Sequence, residues 1–211
     1  YLGWAYLPYT GLVEAPRPTH VAIAPVSAVM AEPRPDAQAL TRLLGGTPVA
    51  VEAQDGEWAR VRLHRSGWVL VDELRALDAL PATTAERRKQ MAADALEFIG
   101  VPYVWGGCSA NGIDCSGFAQ LLHRQLGILL PRDADMQYQA GRKVEAPYQA
   151  GDLLFFGESG DLRAITHVGV SLGGWRLIHS SRSNNGVAID EDIRSVPSLK
   201  DSLVGGATFL E

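Results

Sequence analysis

Apolar and polar positions change their period twice along this chain of 211 residues. Over the first eighty, short segments rich in β-branched residues recur, among them Val21-Ala22-Ile23-Ala24, Pro48-Val49-Ala50-Val51 and Trp58-Ala59-Arg60-Val61-Arg62-Leu63. They are separated by the turn signals Gly45-Gly46 and Asp55-Gly56, the second of which predicts a tight hairpin. This is the pattern of a small β-barrel over residues 14–78. Gly3-Trp4-Ala5-Tyr6-Leu7 is echoed by Gly67-Trp68-Val69-Leu70-Val71, so residues 1–13 read as the closing strand of an earlier unit of the same kind.

The period then lengthens. Thr83 with Glu86 fits a capping box, and Met91, Ala92, Ala95, Leu96 and Ile99 form an apolar stripe that predicts a helix ending at Gly100. A second helix is expected over residues 115–126, with Phe118, Leu121, Leu122 and Leu126 inward and Gly127 as its stop. Beyond it the pattern is that of strands, at residues 152–156, 167–172, 175–179, 187–189 and 207–210. Helices followed by strands predict an α+β domain with an antiparallel sheet over residues 79–211.

Composition narrows the function. The chain is 46% hydrophobic and 20% charged, ordinary for a folded protein, and its formal net charge of −5 disfavours a nucleic-acid partner. No apolar run approaches the roughly 20 residues of a membrane span. The chain begins at Tyr1 rather than Met, so its start says little about localisation, which stays open between the cell envelope or exterior and the cytoplasm. Two cysteines, Cys108 and Cys115, do not make a disulfide scaffold, and their spacing does not suit zinc. No metal or other cofactor is expected.

Chemistry concentrates at Cys115. It stands at the first turn of the second helix, where unpaired amides and the helix dipole favour a thiolate, and Asp114 suits the cap position. Such a thiol needs a base and a group to orient it. His167 in Thr166-His167-Val168-Gly169-Val170 and His179 in Leu177-Ile178-His179-Ser180-Ser181 flank Gly173-Gly174. A hairpin there places the two rings opposite each other on one sheet face. Cys108 reads as a structural loop thiol, and His20, His64 and His123 as surface residues. Trp105 reads as a core aromatic.

Asp114-Cys115-Ser116-Gly117-Phe118, preceded by Pro102-Tyr103-Val104-Trp105-Gly106-Gly107, resembles the nucleophile motif of the NlpC-type cell-wall peptidases. Pro131-Arg132-Asp133 with Gln137, Gly151-Asp152-Leu153-Leu154-Phe155-Phe156 and His167-Val168-Gly169-Val170 are similar to its later motifs, in order. The resemblance covers about residues 85–211 and implies a papain-like catalytic domain. The β-rich front resembles the bacterial SH3-like domains often fused to it.

The resemblance implies cleavage of the γ-D-glutamyl–diamino acid bond in peptidoglycan stem peptides of diaminopimelate or lysine type. It makes Cys115 the nucleophile, His167 the base and His179 its orienting partner, with Tyr103 facing the oxyanion. In members selective for a free N-terminal L-alanine, Asp114 and Ser116 occupy substrate-binding places, and Trp4 or Tyr6 would add to the amine pocket. Ala134 departs from the serine often found there. The competing readings are an amidase or acyltransferase on the same scaffold, or a non-catalytic wall-binding module.

Overall fold

The computed structural model of the chain describes residues 16–157 and 165–210. The expected closing strand at residues 1–13, and with it Trp4 and Tyr6, lies outside them.

The front of the chain is a seven-stranded antiparallel sheet of β1 (His20–Ala22), β2 (Val26–Met30), β3 (Ala39–Leu44), β4 (Pro48–Asp55), β5 (Trp58–Arg62), β6 (Gly67–Leu70) and β7 (Leu74–Ala76). Asp55 pairs with Trp58 across the expected hairpin, and Gly56 takes the left-handed conformation that the turn needs. Strand order is β3-β2-β6-β5-β4-β1-β7. Among the described residues this order has two ends, not the closed ring expected of a barrel. Ala22, Val29, Leu43, Val49, Val61 and Val69 fill the concave side as a separate core.

Helix α1 (Thr84–Leu96) starts at the expected capping box, with Thr83 and Glu86 each bonded to the other's backbone amide. It stops a turn earlier than its apolar stripe suggested. After Leu96 the chain tightens into three-residue turns that carry Phe98 into the core and leave Leu96 and Ile99 exposed, and Gly100 reverses it at φ +85°.

A short hairpin, β8 (Cys108–Ser109) with β9 (Gly112–Ile113), folds the glycine-rich loop back before α2 (Cys115–Arg124). Helices α3 (Ala134–Ala140) and α4 (Pro197–Ser202) and strand β10 (Arg142–Val144) were not foreseen; each is short. The second sheet holds β10, β11 (Leu153–Gly157), β12 (Ile165–Gly173), β13 (Arg176–Ser181), β14 (Gly186–Asp190) and β15 (Leu203–Thr208), in the order β10-β15-β11-β12-β13-β14. One face carries Val168, Val170 and Ile178 against Phe118, Leu121 and Leu122 of α2. The other carries Leu154, Phe156 and Leu177 against Ile193 and Leu199.

Helix α2 is covered on nearly every side, which overturns the solvent-facing expectation for His123. Its ring is fully buried, donates from Nδ1 to the Ala119 carbonyl at 2.8 Å and stands edge-on to Phe209. Burial pulls its pKa down to about 4, so it is a neutral core residue.

The front sheet is fastened to the second by polar contacts as well as packing. Arg75 of β7 forks onto Asp94 of α1 at 2.7 and 2.9 Å and reaches the Gln125 carbonyl, while the Gln125 amide donates to the Ile23 carbonyl at 2.8 Å. These groups are largely buried, so the charge pair holds a fixed docking geometry.

Candidate active site

Cys115 begins α2, and its position is set by contacts that precede it. The Asp114 amide bonds to the Gly107 carbonyl, and Ser180 of β13 donates to the Ile113 carbonyl at 2.7 Å. Gly117 lies so close to this loop that a β-carbon there would stand 2.3 Å from the Gly107 oxygen. Only glycine lets the helix enter against the loop.

Asp114 caps α2 as expected, accepting from the Gly117 amide at 2.7 Å, and also takes the Gly106 amide at 2.9 Å. Its remaining capacity goes to Arg132, whose two terminal nitrogens reach its two oxygens at 3.1 and 2.6 Å. Arg132 also donates to Ser116 Oγ at 2.9 Å. The motif Pro131-Arg132-Asp133 therefore neutralises the buried cap carboxylate beside the thiol.

The expectation of an acidified thiol meets an opposing effect. Burial pushes Cys115 above the ordinary thiol value, and the Asp114 charge adds to this. The amides of Val168, Ser116 and Cys115 itself pull the other way as hydrogen-bond donors to the sulfur. Near neutral pH the resting group is a thiol, and a base must take its proton.

That base stands on the neighbouring strand. The Val168 amide touching the sulfur belongs to the residue after His167. The histidines are not directly opposite, because the turn falls at Gly174-Trp175 and centres the register one residue later, with Val170 opposite Ile178 and Ser171 opposite Leu177. They meet on a diagonal instead, with His167 Nε2 and His179 Nδ1 2.6 Å apart.

Asp190, at the end of β14, decides the tautomers. Its carboxylate lies 2.8 Å from His179 Nε2, with Asn184 Nδ2 more distant at 3.3 Å. The carboxylate can only accept, so His179 carries its proton on Nε2 and accepts from His167 on Nδ1. His167 then holds its own proton on Nε2, which leaves a lone pair on Nδ1. Burial, followed by the charge of His179, lowers His167 to about 3, and burial lowers His179 as well although Asp190 opposes it. Both rings are neutral at pH 7, so the Nδ1 lone pair of His167 is free to accept a proton.

Two cavities meet under Trp105 and Thr166. The larger, about 820 Å³, is lined by Cys115, Asp114, Ser116, Ala134 and the acids Asp133 and Asp135. The smaller, about 380 Å³, is lined by Tyr103, both histidines and Arg182. Trp105 is 73% exposed rather than in the core, and Arg182 lies over both it and Tyr103, with centroid distances of 5.4 and 5.8 Å. Cys108 is free and exposed. Sequence reasoning missed Asp190, Arg182 and the placement of Trp105. For Asp190 a signal existed, since it alternates with Val187 and Ile189 onto the face of His179. Among the described residues no group of three His, Cys, Asp or Glu side chains is placed to hold a metal ion, and no helix is long and apolar enough to cross a membrane.

Residues 100–200 match the NlpC/P60 family. The chain is 39% identical over 121 residues to the gamma-D-glutamyl-L-lysine dipeptidyl-peptidase of Bacillus subtilis, a match covering 55% of this chain and 40% of that protein. It is 45% identical over 92 residues to the bifunctional muramidase/DL-endopeptidase CwlT of the same organism, covering 43% of this chain and 28% of the other. It thus spans less than half the length of these curated relatives. Among solved structures, an NlpC/P60 family protein from Bacillus cereus superposes with a TM-score of 0.75 at 25% identity, over 92% of this chain and 64% of that one. The chain carries a domain of the NlpC/P60 family.

Proposed function

We propose that the chain is a cysteine endopeptidase that hydrolyses the γ-D-glutamyl–diamino acid bond of peptidoglycan stem peptides. One observation carries the reading: the hydrogen-bonded series Asp190–His179–His167 ends beside the residue whose amide touches the Cys115 sulfur. The names of the Bacillus subtilis relatives support the choice of bond.

His167 Nδ1 takes the thiol proton as the sulfur attacks the γ-carbonyl carbon. The oxyanion formed is met by the Cys115 amide and by Tyr103. Collapse expels the diamino acid's amine, which leaves with the proton held on His167, and the acyl group remains as a thioester. Water then gives a proton to His167 and its oxygen to the carbonyl carbon, and the sulfur departs to recover that proton.

The acids beside Cys115 favour a cationic group on the acyl side, which fits a free N-terminal L-alanine bound near Asp114 and Ser116. Both side chains already serve the Arg132 network, so we assign their role as shaping that pocket through it. Ala134 lines the same cavity with a methyl where related enzymes often have a hydroxyl. We read residues 14–78 as an SH3-like module beside the cleft and 79–211 as the papain-like domain. Trp4 or Tyr6 is proposed to add to the amine pocket.

Hydrolysis of L-alanyl-γ-D-glutamyl-diaminopimelate by wild type and Cys115→Ala tests the reading. Turnover should fall to background in the variant, with dipeptide and free diamino acid as the wild-type products. Equal turnover by both proteins refutes it, and a transferred acyl group among the products would mark an acyltransferase.

A further inference from the structure

We infer that Arg182 forms a subsite for a carboxylate of the residue on the leaving side of the scissile bond, an inference that rests on the peptidase reading above. The chemistry assigns the two cavities. The acyl group must stay on the sulfur, which lines the larger one. The departing amine must take its proton from His167, which lines the smaller one. The leaving residue's carboxyl groups therefore enter the smaller cavity.

That cavity is built for an anion. No Asp or Glu lines it among the described residues, and the hydroxyls of Ser183 and Ser198 line it together with Arg182. Arg75, Arg88, Arg132, Arg176 and Arg194 each pair with an Asp or Glu. Arg182 instead makes cation–π contacts with Tyr103 and Trp105 and donates a hydrogen bond to the Tyr103 hydroxyl. A guanidinium has five N–H donors in a planar fork that matches a carboxylate, and cation–π contact with two rings holds the group at the cavity without using up those donors. The larger cavity has the opposite balance, with three aspartates against one arginine, the Arg132 that pairs with Asp114, along its wall. A substrate with an amine at one end and carboxylates at the other is oriented by this polarity.

A diaminopimelate residue has a distal carboxylate that lysine lacks, and either has an α-carboxylate when it is terminal. Four L-alanyl-γ-D-glutamyl peptides separate these sources, with diaminopimelate, side-chain-amidated diaminopimelate, lysine or lysinamide as the third residue. kcat/KM is measured for wild type, Arg182→Gln and Arg182→Lys. In wild type, lysinamide should be cleaved about tenfold more slowly than the best carboxylate-bearing peptide. Diaminopimelate alone in the lead assigns the distal carboxylate, and diaminopimelate level with lysine assigns the α-carboxylate. Arg182→Gln should bring the four rates within about twofold of one another, with partial recovery of the preference in Arg182→Lys.

Wild type that cleaves lysinamide as fast as the others overturns the subsite, as does Arg182→Gln lowering all four rates by one factor. Should wild type cleave none of the peptides, it is the peptidase reading that fails. Equilibrium binding of the same four peptides to Cys115→Ala then judges the subsite by the same ratios, and affinities indifferent to the carboxylate overturn it.

Discussion

The two sides of the cleft solve the problem of buried charge in opposite ways. On the thiol side a carboxylate, Asp114, is held in a nearly closed place by a forked guanidinium and two backbone amides. On the imidazole side burial is left largely uncompensated, and the rings respond by staying neutral, His167 with a pKa of about 3. The first arrangement fixes geometry, because a satisfied charge network has few alternative placements. The second keeps a base free of its proton, because an uncompensated ring in a buried site binds none. A rigid loop holding a thiol and an unprotonated base on the adjoining strand are what a proton transfer between them requires.

Replacing His167 attacks the functional half of this contrast and should have the largest effect. His167→Ala should reduce kcat on the tripeptide by about 10³-fold or more, since no other group described beside the sulfur can take its proton. A loss below tenfold would mean that the imidazole side is structural. Replacing Arg132 attacks the other half. Arg132→Met leaves the Asp114 carboxylate buried with two backbone amides and the Ser116 hydroxyl as donors, which should cost about 3 kcal/mol in urea denaturation. Arg182→Met, at an exposed arginine with no acid partner among the described residues, should cost less than about 0.5 kcal/mol in the same measurement. Equal losses would erase the distinction between a charge that holds the fold and one that faces the cleft.

Much of this was legible in the sequence, for identifiable reasons. The capping box at Thr83 and the helix beginning at Cys115 are local features, and each stands where its residues predict, while the hairpin at Gly173-Gly174 forms with its centre one residue later, which makes the histidines diagonal rather than opposite neighbours. The face opposite Val168 and Val170 carries His167 because strand alternation is local too. What escaped notice depends on contacts between distant segments. His123 sits on a polar-looking stretch, and only the packing of Phe209 against it from the chain's far end makes it a core residue. Arg132 stood within a recognised motif, yet its pairing with Asp114 needs the loop before α3 to return to the start of α2. Leu96 and Ile99 continue a helical period that the backbone abandons, because Phe98 fills the core better from a turn.

Asp190 offers the finest cut at the imidazole side. It lines neither cavity and acts through His179, so it is a positioning residue. Asp190→Asn still presents a carbonyl oxygen to His179 Nε2, so the tautomer series survives and kcat should fall only about threefold to tenfold, with KM little changed. Asp190→Ala leaves that N–H without its acceptor and should fall further. The sign of the pH effect follows from the rings. Folding lowers the pKa values of His167 and His179, so below an unfolded value of about 6.5 the unfolded chain binds protons that the folded one refuses. Stability therefore declines as pH falls from about 6.5 toward 3. The Asp190 charge opposes the lowering at His179, and removing it makes that ring harder still to protonate in the fold. Asp190→Asn should accordingly lose stability more steeply than wild type on acidification, while the two stay within about 1 kcal/mol at pH 7, where neither ring is charged in either state. Urea denaturation at several pH values between 7 and 4 reads the two slopes. Parallel slopes would mean that the carboxylate does not act on His179, and the series of three would shorten to the imidazole pair.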